Sequence, residues 1–476
     1  MPSSADPAST GAAPTVEQLL DPDELQKRAL LQAFLATVQH FFGGFPKLFQ
    51  SVTDPRNPVY ITYPLAVLMT TGVLMFVCRL GARRQITQLL RHNGPLAAKF
   101  QALFGVETCP HGDTLDALYS RLEPAQVQAV VTDMVATLIR QKVLSRYRLL
   151  DLYYLIAMDG TGVLTFPERH CPHCLTRKQH GQTLYYHPVL EAKLVTATGL
   201  VFSLLTEFIE NPGESPTKQD CELKAFYRLA ARLKQRFPRL PICLVLDGLF
   251  AGGPTFTRCD QYGWKYLIVL QEKDVPTVHQ EFEALLKLAP EQHLRFYTGP
   301  QAQLQQDFRW VNAIAYVDAE QTAHTVSVLE CLETPRTGGK PGPTTRFKWI
   351  SNFTVTPHNV IALANEGGRQ RWKIENEGFN AKSTFSVQKN GGYALEHPYS
   401  QNATAGKVFY LLLQMAHLLF QLVERGSLFR KAFPTGVGSA KNLAFRLLEA
   451  WRNLRLRPEE LLQMLALRRQ IRFDTS

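Results

Sequence analysis

Leu152–Gly162, LYYLIAMDGTG, is the stretch from which the chain is best read. Its opening run is apolar, rich in β-formers and free of charge, the pattern of a strand covered on both faces. The run stops at Asp159, with Gly160 next. A second stretch repeats the device: Pro241–Gly253, PICLVLDGLFAGG, stops its apolar run at Asp247, followed by Gly248. An acid before glycine at a strand end is, taken singly, ordinary turn chemistry. A third stretch changes that reading. In Arg371–Lys382, RWKIENEGFNAK, a helical turn of about 100° per residue puts Arg371, Glu375 and Lys382 on one narrow stripe and Glu377 on the opposite face. The Asp159, Asp247 and Glu375 carboxylates, delivered from two strand ends and a helix, are a hard-oxygen set of the kind that two-metal phosphoryl chemistry requires. On that reading Arg371 and Lys382 would hold substrate phosphates beside the ions.

The elements around these stretches follow in a recognisable order. Leu184–Thr196 and Leu200–Glu210 read as two more strands turning at Gly199. A helix over 218–237 leads into the Asp247 strand, then a short helix over Gly253–Tyr262 and a buried strand over Trp264–Leu270. The β-β-β-α-β-α-β order is that of an RNase H-like α/β domain, although doubly wound sheets share parts of it. This catalytic domain is expected over 151–425. The 128 residues between Asp247 and Glu375 leave room for a β-rich insertion over 272–350, with strand-like runs at Phe308–Val317, Thr325–Leu332 and Arg346–Phe353. Residues 1–14 read as disordered, 15–150 as an all-helical domain, and 426–476 as a basic helical tail.

Composition narrows the function classes. The net charge of +11 and pI near 9.2 favour an anionic partner, nucleic acid before membrane. Residues 425–476 alone hold 11 Lys/Arg against 4 Asp/Glu, so a phosphate contact is expected there. Eight cysteines in 476 residues make no disulfide framework and point to a reducing compartment. The N-terminal MPSSADPASTGAAP lacks the charged and apolar regions of a secretory signal. Tyr63–Leu80, broken by Pro64 and Gly72, reads as a buried helix and not as a membrane span.

RHCPHCLTRKQHGQTLYYH, Arg169–His187, is a second constellation. Cys171 and Cys174 have knuckle spacing, and His180 and His187 complete a candidate set for structural Zn²⁺, with His170 and His173 as alternatives. The competing reading is a polar hairpin loop with two free thiols. Trp310 and Trp349, in the insertion, offer either a stacking face for an unpaired base or core packing.

These motifs together resemble bacterial insertion-sequence DDE transposases with a Tyr-Arg-Glu-Lys signature. Arg371, Glu375 and Lys382 match the signature spacing; DGTG at Asp159 and DGLFA at Asp247 look like the family's two Asp motifs; residues 218–234 and 347–355 are also similar. The resemblance covers roughly 110–425. It departs where Gly368 stands in place of the signature Tyr, and where a long link after the helix leaves Lys389 as an alternative to Lys382. The resemblance implies an RNase H-like catalytic domain behind a helical DNA-binding domain. Asp159, Asp247 and Glu375 would hold two Mg²⁺ (or Mn²⁺) ions, and Trp310 and Trp349 would be candidates to meet a flipped base. It implies cut-and-paste transposition by a homodimer bound to double-stranded terminal inverted repeats and target DNA, in the bacterial cytoplasm at the nucleoid. Alternatives of other classes are a domesticated DNA-binding protein that does not cut, and a metal-dependent nuclease without strand transfer.

Overall fold

A computed structural model describes residues 21–91, 94–213, 218–337, 340–380, 399–466 and 469–473. The chain is mixed α/β, built on one sheet of eleven described strands. These are β1 (Tyr154–Phe166), β2 (Leu175–Gln179), β3 (Gln182–Val195), β4 (Val201–Phe208), β5 (Ile242–Leu246), β6 (Lys265–Val269), β7 (His293–Thr298), β8 (Leu304–Val317), β9 (Ala323–Thr337), β10 (Lys340–Pro341) and β11 (Thr345–Ser351). Their order is β2-β3-β1-β5-β6-β11-β9-β8-β7, with β4 on the other half of the β3 edge and β10 on β9. β1, β5 and β6 run parallel at the centre; every other pairing is antiparallel. Helices Glu222–Arg236 and Gly253–Tyr262 make the connections into β5 and β6.

The apolar start of β1 explains its central place. Tyr154–Met158 is buried throughout, and alternate residues enter different cores. Ile156 and Met158 join the larger core, with Leu244, Leu246 and the helices. Leu155 and Ala157 join a second core on the opposite face, with Val245, Trp349 and Ile374. β1 does not stop at Asp159, as its sequence suggests. Pairing with β3 through Thr161↔Val189 and on to Phe166↔Tyr185 carries it past the Gly-Thr-Gly segment. The runs expected between residues 272 and 350 are strands, and β11 pairs with β6, so they extend the central sheet. The interval also holds the helix Pro276–Leu286 and one further strand, β7.

The helices from the two ends of the chain share the larger core. Helix Leu65–Val77 packs against helix Ala403–Arg425. Contact is close because residue 72 is glycine: a Cβ there would lie 2.7 Å from Leu412 Cδ1 of that helix and would also collide with Tyr119 Oη. Ala403–Arg425 is long and apolar enough to cross a membrane, yet its residues are mostly buried within the protein. Helix Ala440–Asn453 lies on helix Pro22–Phe42, with Trp451 edge-on to Phe34 at 6.3 Å. Lys99 Nζ donates to the carbonyls of Trp451 and Leu454.

Candidate active site

The register that pairs Ala157 with Val245 carries Asp159 and Asp247 to the same level of neighbouring parallel strands, whose axes lie about 4.8 Å apart. Residues 88 positions apart in sequence thereby become neighbours. Asp247 opens the turn after β5, and its Oδ1 accepts from Leu249 N at 2.6 Å.

The third acid comes from a helical segment running from Val360 to Asn380. It is wound as a π-turn over Leu363–Gly367, 3₁₀ over Gly368–Trp372 and π again over Ile374–Asn380. Wide π-turns re-aim side chains and recur at functional sites. The regular 100° phase therefore does not hold, but its main consequence does. Arg371 Nη1 lies 3.4 Å from Asp159 Oδ2, and Nη2 lies 3.8 Å from Glu375 Oε2, so one guanidinium bridges the two acids. Glu377 turns away and takes Lys373 Nζ at 2.8 Å.

Gly368, where the resemblance would place Tyr, has a steric cause. A Cβ there would lie 2.5 Å from the Trp349 ring. Trp349 and Trp310 are only 2% and 3% exposed and belong to the second core. As base-stacking surfaces both are corrected: they pack the core under the Glu375 helix. Lys382 and Lys389 lie outside the described residues.

A fourth carboxylate joins the acids. Glu222, the first residue of its helix, lies directly on Gly160, where a Cβ would overlap its Oε1. Burial raises the Glu222 pKa, and the Asp247 charge adds to the rise. A matching contact exists at the second motif, where Asp274 Oδ2 closes over Gly248. The glycine after each Asp is the available signal in the sequence, since it admits a second acid at van der Waals range. Glu222 itself looks like an ordinary first-turn helix acid.

Burial pushes the Asp159 carboxyl up to about 6; Arg371 opposes this, while Glu375 and Asp247 reinforce it. The donors are hard oxygens suited to Mg²⁺ or Mn²⁺. Glu375 is half exposed at the rim of this group.

The raised pKa has a sign that can be tested. The native state holds the Asp159 proton more tightly than an unfolded chain near 3.9, so stability falls as pH rises from about 4 to 6 and stays level above. In chelator, Asp159→Asn should therefore be the more stable protein at pH 7, by up to about 3 kcal/mol, with the gain gone at pH 4. Urea midpoints at the two pH values measure this; a wild type at least as stable as the variant at pH 7 would refute it.

The knuckle residues are only partly arranged as expected. Cys171, Cys174 and His187 come together. His180 does not join them. With Gly181 it forms the two-residue turn between β2 and β3, both at positive φ, exposed and about 17 Å along β2 from Leu175. His170 instead groups with Cys171 and His187, and His173 faces away to Asn211 O.

No protein-family model matches this chain, and no curated protein matches it.

Proposed function

We propose that this chain is a DNA transposase with an RNase H-like catalytic core, cutting at transposon ends and joining them to target DNA. The observation that carries the reading is the level placement of Asp159 and Asp247 on adjoining central strands, with Arg371 bridging Asp159 to Glu375. The order β4-β3-β1-β5-β6, three antiparallel strands leading into three parallel ones, supports the fold assignment. Asp159, Asp247 and Glu375 would hold two Mg²⁺ or Mn²⁺ ions, which supply an activated attacking oxygen and charge relief at the leaving one. Arg371, placed between two of the acids, orients a scissile phosphate against them. Glu222, touching Gly160, positions the Asp159 segment and adds negative charge. The protein would act as a homodimer on two double-stranded ends, in the cytoplasm at the nucleoid.

Incubation of the purified protein with linear DNA bearing the inverted repeats that flank its gene, with and without Mg²⁺, tests the reading. Joined products support it. Cleavage without joining indicates a nuclease, and a mobility shift alone indicates a DNA-binding protein.

The basic surface calls for point substitutions, because removing the C-terminal helices would strip the core around Trp451. Lys431, Lys441 and Arg455 are exposed. Their joint replacement by Gln should lower the slope of log affinity against log salt by up to about 3, near 0.9 for each phosphate no longer neutralised. An unchanged slope would place the DNA elsewhere.

A further inference from the structure

We propose that the segment between β1 and β2 holds one structural Zn²⁺ on His170, Cys171, Cys174 and His187. The site is separate from the acids and stands whether or not they cut DNA. Cys171 Sγ and Cys174 Sγ are 3.6 Å apart, and His187 Nε2 lies 3.4 Å from the first and 3.2 Å from the second. Tetrahedral zinc with bonds of about 2.3 Å to sulfur and about 2.0–2.1 Å to nitrogen needs edges of about 3.8 Å and about 3.6 Å. The three atoms are thus already near the spacing of one tetrahedral face. His170 belongs to the cluster with Cys171 and His187, their ligand atoms all within 4.8 Å. Its Nδ1 is buried with no hydrogen-bond partner, a cost that a metal bond would remove.

The surroundings hold the ligands in place. Phe166 stacks on the His170 ring at 4.5 Å and 6°. Asn211 donates its side-chain amide to Cys174 O and its backbone N–H to His173 O, and accepts from His173 Nδ1. Gln219 clamps Thr176 through both backbone groups. Such outer contacts fix ligand geometry in metal sites. Two thiolates and two imidazoles are a soft set that selects Zn²⁺ and leaves Mg²⁺ to the carboxylates. His187 pairs with Leu164 on β1, and Glu191, four residues farther along β3, pairs with Asp159. The ion would therefore pin the outer end of the hairpin that carries the first acid.

Full-length protein purified without chelator should contain about one zinc per chain by elemental analysis. His180→Ala should keep it, and His170→Ala should lose most of it. Because Cys171→Ser with Cys174→Ser could fail to fold, the wild type reconstituted with Co²⁺ alone supplies an independent reading: it should show thiolate-to-cobalt charge-transfer bands. A folded wild type with neither zinc nor those bands, a Cys171–Cys174 disulfide in the native protein, or zinc that survives His170→Ala but not His180→Ala would overturn the site.

Discussion

If the chain is the transposase proposed above, Asp159→Asn, Asp247→Asn and Glu375→Gln should each abolish metal-dependent DNA cleavage, by roughly 10³-fold or more, while leaving DNA affinity near that of the wild type. The size follows from the kind of catalysis. Phosphoryl transfer is driven almost wholly by positioning and charge stabilisation, so a lost carboxylate removes an ion and its field together. The amides are the informative replacements. Asp247 Oδ1 also accepts from Leu249 N, and asparagine keeps that turn while removing the charge. Glu377→Gln is the control, since its carboxylate already serves Lys373. Cleavage assays and mobility shifts on the same preparations decide the matter: an inactive Glu377→Gln beside an active Glu375→Gln would mean that the wrong acid has been assigned.

Lys193→Met should cost about 3–5 kcal/mol of stability, the usual penalty for stranding one member of a buried ion pair. Glu191 is 0% exposed. It accepts from Lys193 Nζ at 2.6 Å, Ser203 Oγ at 2.6 Å, Thr206 Oγ1 at 2.8 Å and Tyr410 Oη at 2.6 Å. The network joins β3, β4 and helix Ala403–Arg425, and removing the ammonium takes away the cation 2.6 Å from the buried carboxylate. Glu191→Leu combined with Lys193→Met should recover much of the loss, because no charge then remains to be desolvated. Urea denaturation measures both. A Lys193→Met protein with an unchanged midpoint would show that the pair contributes nothing.

The contrast between sequence and structure is clearest at particular residues. Helix Gly253–Tyr262 and strands β3 to β6 lie where periodicity and turn residues indicate, because their apolar runs are bounded by glycine or charge. The extension of β1 beyond Asp159 is not legible: Gly160 and Gly162 have little strand propensity, and β3 supplies the ladder that holds them. His170 and His180 have equal chemistry, and only the β2–β3 turn, which sends His180 outward, separates them. Trp349 and Gly368 are complementary shapes 19 positions apart, a relation that no local pattern reveals. The acids themselves are readable from type and context, but their alignment depends on strand register.

The shared helical core has a consequence for biosynthesis. Leu65–Val77 leaves the ribosome more than 300 residues before the helix that covers it, Ala403–Arg425. At about 5–20 residues per second this interval lasts roughly 15–65 s. Throughout it the nascent chain displays an apolar segment whose native cover has yet to be translated, a substrate for holdase chaperones. A message interrupted by a stop codon before residue 403 would release a chain with that segment permanently uncovered, so truncated copies of the gene should yield aggregates or proteolytic fragments in place of a competing DNA-binding domain.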